Sequence, residues 1–147
     1  MALKISLKPQ EKIVVNGAVI ANGDRTSHLH FLNDARLLRE KDIMVEEAVK
    51  TDEDYFYFLI QLIYIDPEHA KRYRLQLGKI AKMIAGAHPD REEIVESILF
   101  TLDAGHIYEA MRDCRKAFGD IHTKGTAQKV PADGGSHRRE DKHAAEG

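Results

Sequence analysis

Residues 13–23, Ile13-Val14-Val15-Asn16-Gly17-Ala18-Val19-Ile20-Ala21-Asn22-Gly23, decide how the first third of the chain is read. Ile13 to Val15 is rich in β-branched side chains, which suit a pleated, half-buried strand better than a helix. Each Asn-Gly pair tolerates the positive φ of a tight hairpin turn, so the two together predict a meander. Upstream, Leu3, Ile5 and Leu7 alternate with polar residues, and Lys8-Pro9-Gln10-Glu11 reads as a turn. Downstream, Ser27 to Leu32 is expected to be a strand with Leu29 and Phe31 on one face and His28 and His30 on the other. A last short strand is expected to include Arg36 to Leu38.

From about Asp42 the apolar spacing changes from two to near 3.6, which marks a switch from sheet to helix. Asp42 to Lys50 is expected to form a short helix. In the next helix Thr51 caps, Asp52, Glu53 and Asp54 suit the positive end of the dipole, and Tyr55, Phe56, Phe58, Leu59, Leu62 and Ile63 fill the body. It is apolar on most sides, which predicts a central position. Asp66-Pro67 offers a cap and a first-turn proline ahead of the stripe Ala70, Tyr73, Leu77, Ile80, Ala81 and Ile84. Asp90-Arg91-Glu92-Glu93 resembles a capping box before Ile94, Ile98 and Leu102, and Gly105 suits the end of that helix. Ile107, Tyr108, Met111, Cys114 and Phe118 define a final one. Beyond Gly119 large apolar residues almost vanish, so no core offsets the entropy of ordering the chain. The expected class is α+β: a small antiparallel β-sheet or barrel in residues 1–44, a helical bundle in 45–118 and a flexible, disordered tail in 119–147.

With 147 residues, 43% of them apolar, the chain can bury a continuous core. Its formal charge of -2 and pI near 6.4 offer a polyanion no broad positive field, so any nucleic-acid contact must come from a local patch. One cysteine, Cys114, excludes an internal disulfide and a thiolate zinc cluster and fits a reducing compartment. No apolar run approaches the roughly 20 residues of a membrane helix, and Met1-Ala2-Leu3-Lys4 lacks a signal-peptide core. A cytoplasmic address without a membrane partner is expected.

Signatures of chemistry are scarce. His28 and His30 lie two apart with no HExxH pattern or nearby cysteine to complete a metal site, and a solvated strand face explains them more simply. His137 and His143 lie in the charged tail, where a metal would have to order the chain first. Cys114 falls on a helical apolar stripe, which suits a packing residue rather than a nucleophile. No GxSxG elbow, phosphate-binding Gly-Lys loop or GxGxxG fingerprint is present. No metal, cofactor or catalytic group is expected, and the chain reads as a non-enzyme.

The basic residues are more suggestive. Between Ala70 and His88 lie Lys71, Arg72, Arg74, Lys79 and Lys82 without an acid, and about 100° per residue puts Lys71, Arg72, Lys79 and Lys82 within about a third of the helix circumference. Such a face can neutralise phosphates, although the solvent side of an amphipathic helix accounts for it more simply. A second group, Arg25, Arg36, Arg39 and Lys41, adjoins the strands, where alternating charge also suits surface ion pairs. Base stacking has little support, because the N-terminal segment offers only Phe31.

Leu3-Lys4-Ile5-Ser6-Leu7-Lys8-Pro9, Glu11-Lys12, Val15-Asn16-Gly17-Ala18-Val19, Asn22-Gly23-Asp24-Arg25 and Leu38-Arg39-Glu40-Lys41-Asp42-Ile43-Met44, in that order and spacing, resemble the FlbT family of flagellar-biosynthesis repressors. The likeness continues through Tyr57, Gln61, Tyr64 and Asp66 and covers most of residues 1 to about 118. It implies a post-transcriptional role: association with the 5′ untranslated region of flagellin mRNA and promotion of its decay, with interplay with the flagellar regulator FlaF. The histidine pair and the charged tail depart from the family pattern. A protein-binding adaptor with indirect effects on mRNA is the rival reading, resting on the apolar Tyr55 to Ile65 segment, which a monomeric core or a homo-oligomer seam explains equally well.

Overall fold

The structure, a computed structural model, describes residues 3–119 together with Ile121 and Thr123. The chain divides between two compact units, one drawn from Met1–Ile43 and Thr123–Gly147, the other from Met44–His122. Of the expected tail, residues 119–147, all but Gly119, Ile121 and Thr123 lie outside the described residues.

The first unit holds β1 (Leu3–Leu7), β2 (Lys12–Val15), β3 (Ala18–Ala21), β4 (Ser27–Phe31) and β5 (Leu37–Arg39). They pair antiparallel in two small sheets, β1 with β4 and β3-β2-β5 with β2 in the middle. Asn16 and Gly17 sit at φ of 50° and 85° between Val15 and Ala18, which face each other across the loop. This is the two-residue turn whose twist matches that of the strands it joins. Ile5, Leu7 and Ile13 are buried, and Val15, Leu29, Phe31 and Leu37 pack against them. His28 and His30 face outward, as the alternation in β4 predicts.

The second Asn-Gly pair does not make a hairpin, and the expected meander is absent. Asn22 and Gly23 keep negative φ, β4 pairs with β1, and β5 pairs with β2. The cause is a bracket built on one side chain. The Asn22 amide donates to the carbonyls of Leu7 (3.2 Å), Lys8 (2.8 Å) and Arg25 (2.8 Å), and its oxygen accepts from the Ser27 hydroxyl (2.9 Å). Gln10 N–H also donates to Gly23 O at 2.8 Å. The chain leaving β3 is thereby fastened to the Lys8–Glu11 turn, and β4 starts alongside β1. All four residues of β3, at the edge of its sheet, are exposed.

The second unit holds α1 (Asp52–Ile65), α2 (Ala70–Ala87), α3 (Glu92–Asp103) and α4 (Ile107–Ala117). The helix expected at Asp42 to Lys50 is replaced by single 3-10 turns at Glu40–Asp42 and Glu46–Ala48. Between them the buried Gln61 side chain takes both Met44 backbone groups, accepting from its N–H (2.8 Å) and donating to its C=O (2.9 Å). Those groups have no need of helical partners.

α1 is the central helix that its all-round apolarity predicts: Phe56, Tyr57, Leu59, Ile60 and Ile63 are buried. Thr51 and Asp54 form a reciprocal capping box at its head. α2 starts later than Asp66-Pro67 suggests, because Pro67–His69 is a 3-10 turn and Asp66 turns its carboxylate to side chains. α3 likewise lacks the expected capping box: Arg91 precedes it and donates instead to the buried Glu53 carboxylate on α1. The Arg91 guanidinium lies 5.1 Å over the Phe118 ring, and Phe118 meets Phe56 edge to face with ring centres 6.3 Å apart. Cys114 is buried, as its place on the stripe predicts, and burial pushes its thiol far above the ordinary range. Among the described residues no helix is long and apolar enough to cross a membrane.

Two outcomes follow. Arg91→Ala lowers unfolding free energy by about 2–4 kcal/mol in urea titration, since Glu53 is left buried without its cation, and adding Glu53→Gln recovers part of the loss. Gln61→Leu, which strands both Met44 groups, costs about 2–4 kcal/mol by the same measurement.

Candidate nucleic-acid interface

α2 is amphipathic because its apolar residues recur at three- and four-residue steps. Leu77, Ile80, Ala81 and Ile84 are buried, with the half-buried Tyr73 and Ala70 continuing the stripe. The opposite side is open to water, and Lys71, Arg72, Lys79 and Lys82 are all exposed on it. None of the four makes an ion pair with a described residue. Arg74, on the flank, is paired with Asp103 of α3 at 2.8 Å. The face therefore carries four cations with no ion pair among the described residues, of which Arg72 is felt electrostatically by Asp66, within a chain of net charge -2.

Two apolar members of this face escaped the sequence reading. Leu75 and Met83 are 67% and 56% exposed among the cations. Their angular positions were available at about 100° per residue: Leu75 falls between Lys82 and Lys79, well away from the buried stripe.

The cations of the first unit are arranged differently. Arg39 extends from β5 to donate to Ser6 O (2.7 Å) and to Glu11 (3.2 Å), so its charge is shared with a carboxylate. Arg36 is half-buried and its backbone clasps Asn16, with Arg36 N–H on Asn16 Oδ1 and Asn16 N–H on Arg36 O, each at 2.8 Å. Arg25 and Lys41 are exposed, the first inside the Asn22 bracket and the second in a 3-10 turn. These four share no single strand or helix face. Of the eight residues singled out, only the α2 set presents its charges together.

The histidine pair offers little to a metal. His28 hydrogen-bonds Ser6 at 2.8 Å, and His30 stands opposite Lys4 across β1. A cluster missed from sequence is Asp66, Glu68 and His69, whose ligand-type atoms lie within 4.8 Å of one another. Its central carboxylate is already committed, since Asp66 accepts from the Tyr73 hydroxyl at 2.7 Å and contacts His69 Nδ1 at 3.0 Å.

Fold and face together define an α+β protein whose exposed chemistry is a basic helix. Its sequence matches the family model of flagellar protein FlbT over residues 3–120, and the chain belongs to the FlbT family. It is 48% identical over 73 residues to a probable flagellum biosynthesis repressor protein FlbT of Caulobacter vibrioides, covering 50% of this chain and 52% of that one. The chain thus spans about half the length of the Caulobacter relative. It is 33% identical over 117 residues to a Bradyrhizobium diazoefficiens protein with the same description, covering 79% and 80% of the two chains. A Rhodopseudomonas palustris relative, also described so, is 34% identical over 115 residues, covering 78% of this chain and 90% of its own. No solved structure matches.

The Asp66 cluster makes the head of α2 measurable. The Tyr73 hydrogen bond holds the Asp66 carboxyl below its ordinary value of 3.8, and the same bond raises the Tyr73 phenol above 10.0. A lowered carboxyl stabilises the fold above its unfolded pKa and loses that contribution as pH falls through the folded one; the raised phenol loses its share as pH climbs. Asp66→Asn is expected to bring the Tyr73 titration, followed by ultraviolet absorbance, back down toward 10.0.

Proposed function

We propose that this chain represses flagellin synthesis after transcription, associating with the 5′ untranslated region of flagellin mRNA and promoting its decay. Membership of the FlbT family, with relatives named flagellum biosynthesis repressors, supports the repressor role. The observation that carries the RNA contact is the α2 face, where Lys71, Arg72, Lys79 and Lys82 stand exposed and unpaired among the described residues. Contact with phosphates releases counterions, so a local cluster binds a polyanion even when the whole chain is anionic. Base edges of an unpaired leader would be read from loops and sheet residues, because aromatic platforms are few. Occlusion of the ribosome site or exposure of the leader to nucleases then lowers flagellin, with no catalytic group required of this chain. Action in the cytoplasm fits this role.

The rival reading, an adaptor gripping a flagellar protein such as FlaF, leaned on the apolar Tyr55 to Ile65 segment. That segment is mostly core within its own unit. The direct reading is tested by gel shift of a flagellin leader over a salt series. Neutralising Lys71, Arg72, Lys79 and Lys82 together is expected to weaken binding and flatten the log K against log salt slope by about 3, for four single-strand phosphate contacts. Unchanged affinity and slope would overturn the assignment of this face. Failure of the wild-type protein to shift the leader at low salt, with a flagellar protein co-purifying, would favour the adaptor.

A further inference from the structure

α2 and α3 are adjacent and oppositely charged. α2 carries five cations and no acid, whereas α3 carries Glu92, Glu93, Glu96 and Asp103 and no base. At about 100° per residue, Glu93, Glu96, Phe100 and Asp103 lie within about a quarter of the α3 circumference. Each is exposed, and Phe100, 77% exposed, stands in their midst. Glu93 and Glu96 make no ion pair with a described residue. Each helix thus shows an apolar centre, Leu75 and Met83 on one and Phe100 on the other, set among charges of a single sign. A solvated face needs no aromatic ring, and a ring left in water forfeits the transfer energy that burial would supply.

The Arg74–Asp103 ion pair joins the two faces along one seam. It ties the beginning of α2 to the end of α3, so the helices run in opposite directions. At about 1.5 Å of rise per residue, Leu75 and Phe100 then lie within about one turn of the same height, as do Lys79 and Lys82 with Glu96 and Glu93.

We propose that α2 and α3 together form a self-complementary surface on which a second copy of this chain docks, about a twofold axis running along their seam. That operation lays α2 of each copy on α3 of the other. Lys79 and Lys82 meet the partner's acidic face, and Leu75 closes over the partner's Phe100 ring, twice in each dimer. An isologous interface needs this reciprocity: one patch must carry both halves of each contact. Two helices about 18–27 Å long form a small interface, so the dimer is transient and its charge pairs make it salt-sensitive. The proposal stands on these two faces alone; its corollary, that dimer and messenger compete for α2, rests on the RNA reading.

Sedimentation velocity of the full chain over a range of concentrations at low salt tests it. A concentration-dependent dimer is expected, weakened roughly tenfold or more at high salt. Phe100→Ala, a change at an exposed position, weakens it by about tenfold or more without altering the circular dichroism spectrum. Lys79→Glu/Lys82→Glu and Glu93→Lys/Glu96→Lys are each monomeric, and an equimolar mixture of the two regains the dimer because one contact then keeps the native signs and the other carries them reversed. A monomer at every concentration, variants that still dimerise, or a mixture that stays monomeric would each overturn the proposal. Phe100→Ala keeps all four cations, so its leader gel shift reports separately on the RNA reading.

Discussion

A carboxylate withdrawn from water needs a cation, and in the helical unit Glu53 finds one in Arg91. Everything at that end of the bundle is arranged around the pair. Arg91 leaves the connection after α2, reaches the head of α1 and lies over Phe118, which in turn meets Phe56. Three pieces of chain distant in sequence are thereby locked through one guanidinium. A plain apolar contact would tolerate sliding, whereas a bidirectional requirement for charge and ring stacking fixes position. α2, packed on α1, is held with its apolar stripe inward and its cations outward.

The sequence was legible wherever a local rule had no competitor. The capping of α1 by Thr51, the buried stripe of α2 and the alternation of His28, Leu29, His30 and Phe31 all appear as read, whereas the regular helix expected from Asp42 begins only at Asp52. Where a side chain had two possible employers, local reading failed. Asp66 has the position of a cap but serves Tyr73; Arg91 falls in a capping-box pattern but serves Glu53; Gln61, a polar residue on an apolar helix, serves Met44. Asn22-Gly23 carries the same two letters as Asn16-Gly17, yet it acts as a clamp because of where Leu7, Lys8 and Arg25 lie. Partners of this kind are set by tertiary placement, which periodicity does not encode.

The candidate site divides in the same way. The angular clustering of Lys71, Arg72, Lys79 and Lys82 was visible on a helical wheel, and their exposure agrees with it. Whether each charge is free depends on distant carboxylates: Arg39 is shared with Glu11 and Arg74 with Asp103. Overall charge was a poor guide to this surface. A total of -2 conceals a helix with five cations beside one with four anions.

The Asn22 bracket also makes the first unit sensitive to age. Asparagine before glycine is the arrangement in which the following backbone nitrogen most readily attacks the side-chain carbonyl, and the end product exchanges an amide for a carboxylate. At Asn22 that exchange would replace a donor serving three carbonyls with an anion pressed against the same three oxygens. The clasp would become a wedge, loosening the join between the Lys8–Glu11 turn and the start of β4. While intact, the bonds that restrain this side chain also oppose the rotation such an attack requires, so the bracket slows the reaction that would undo it.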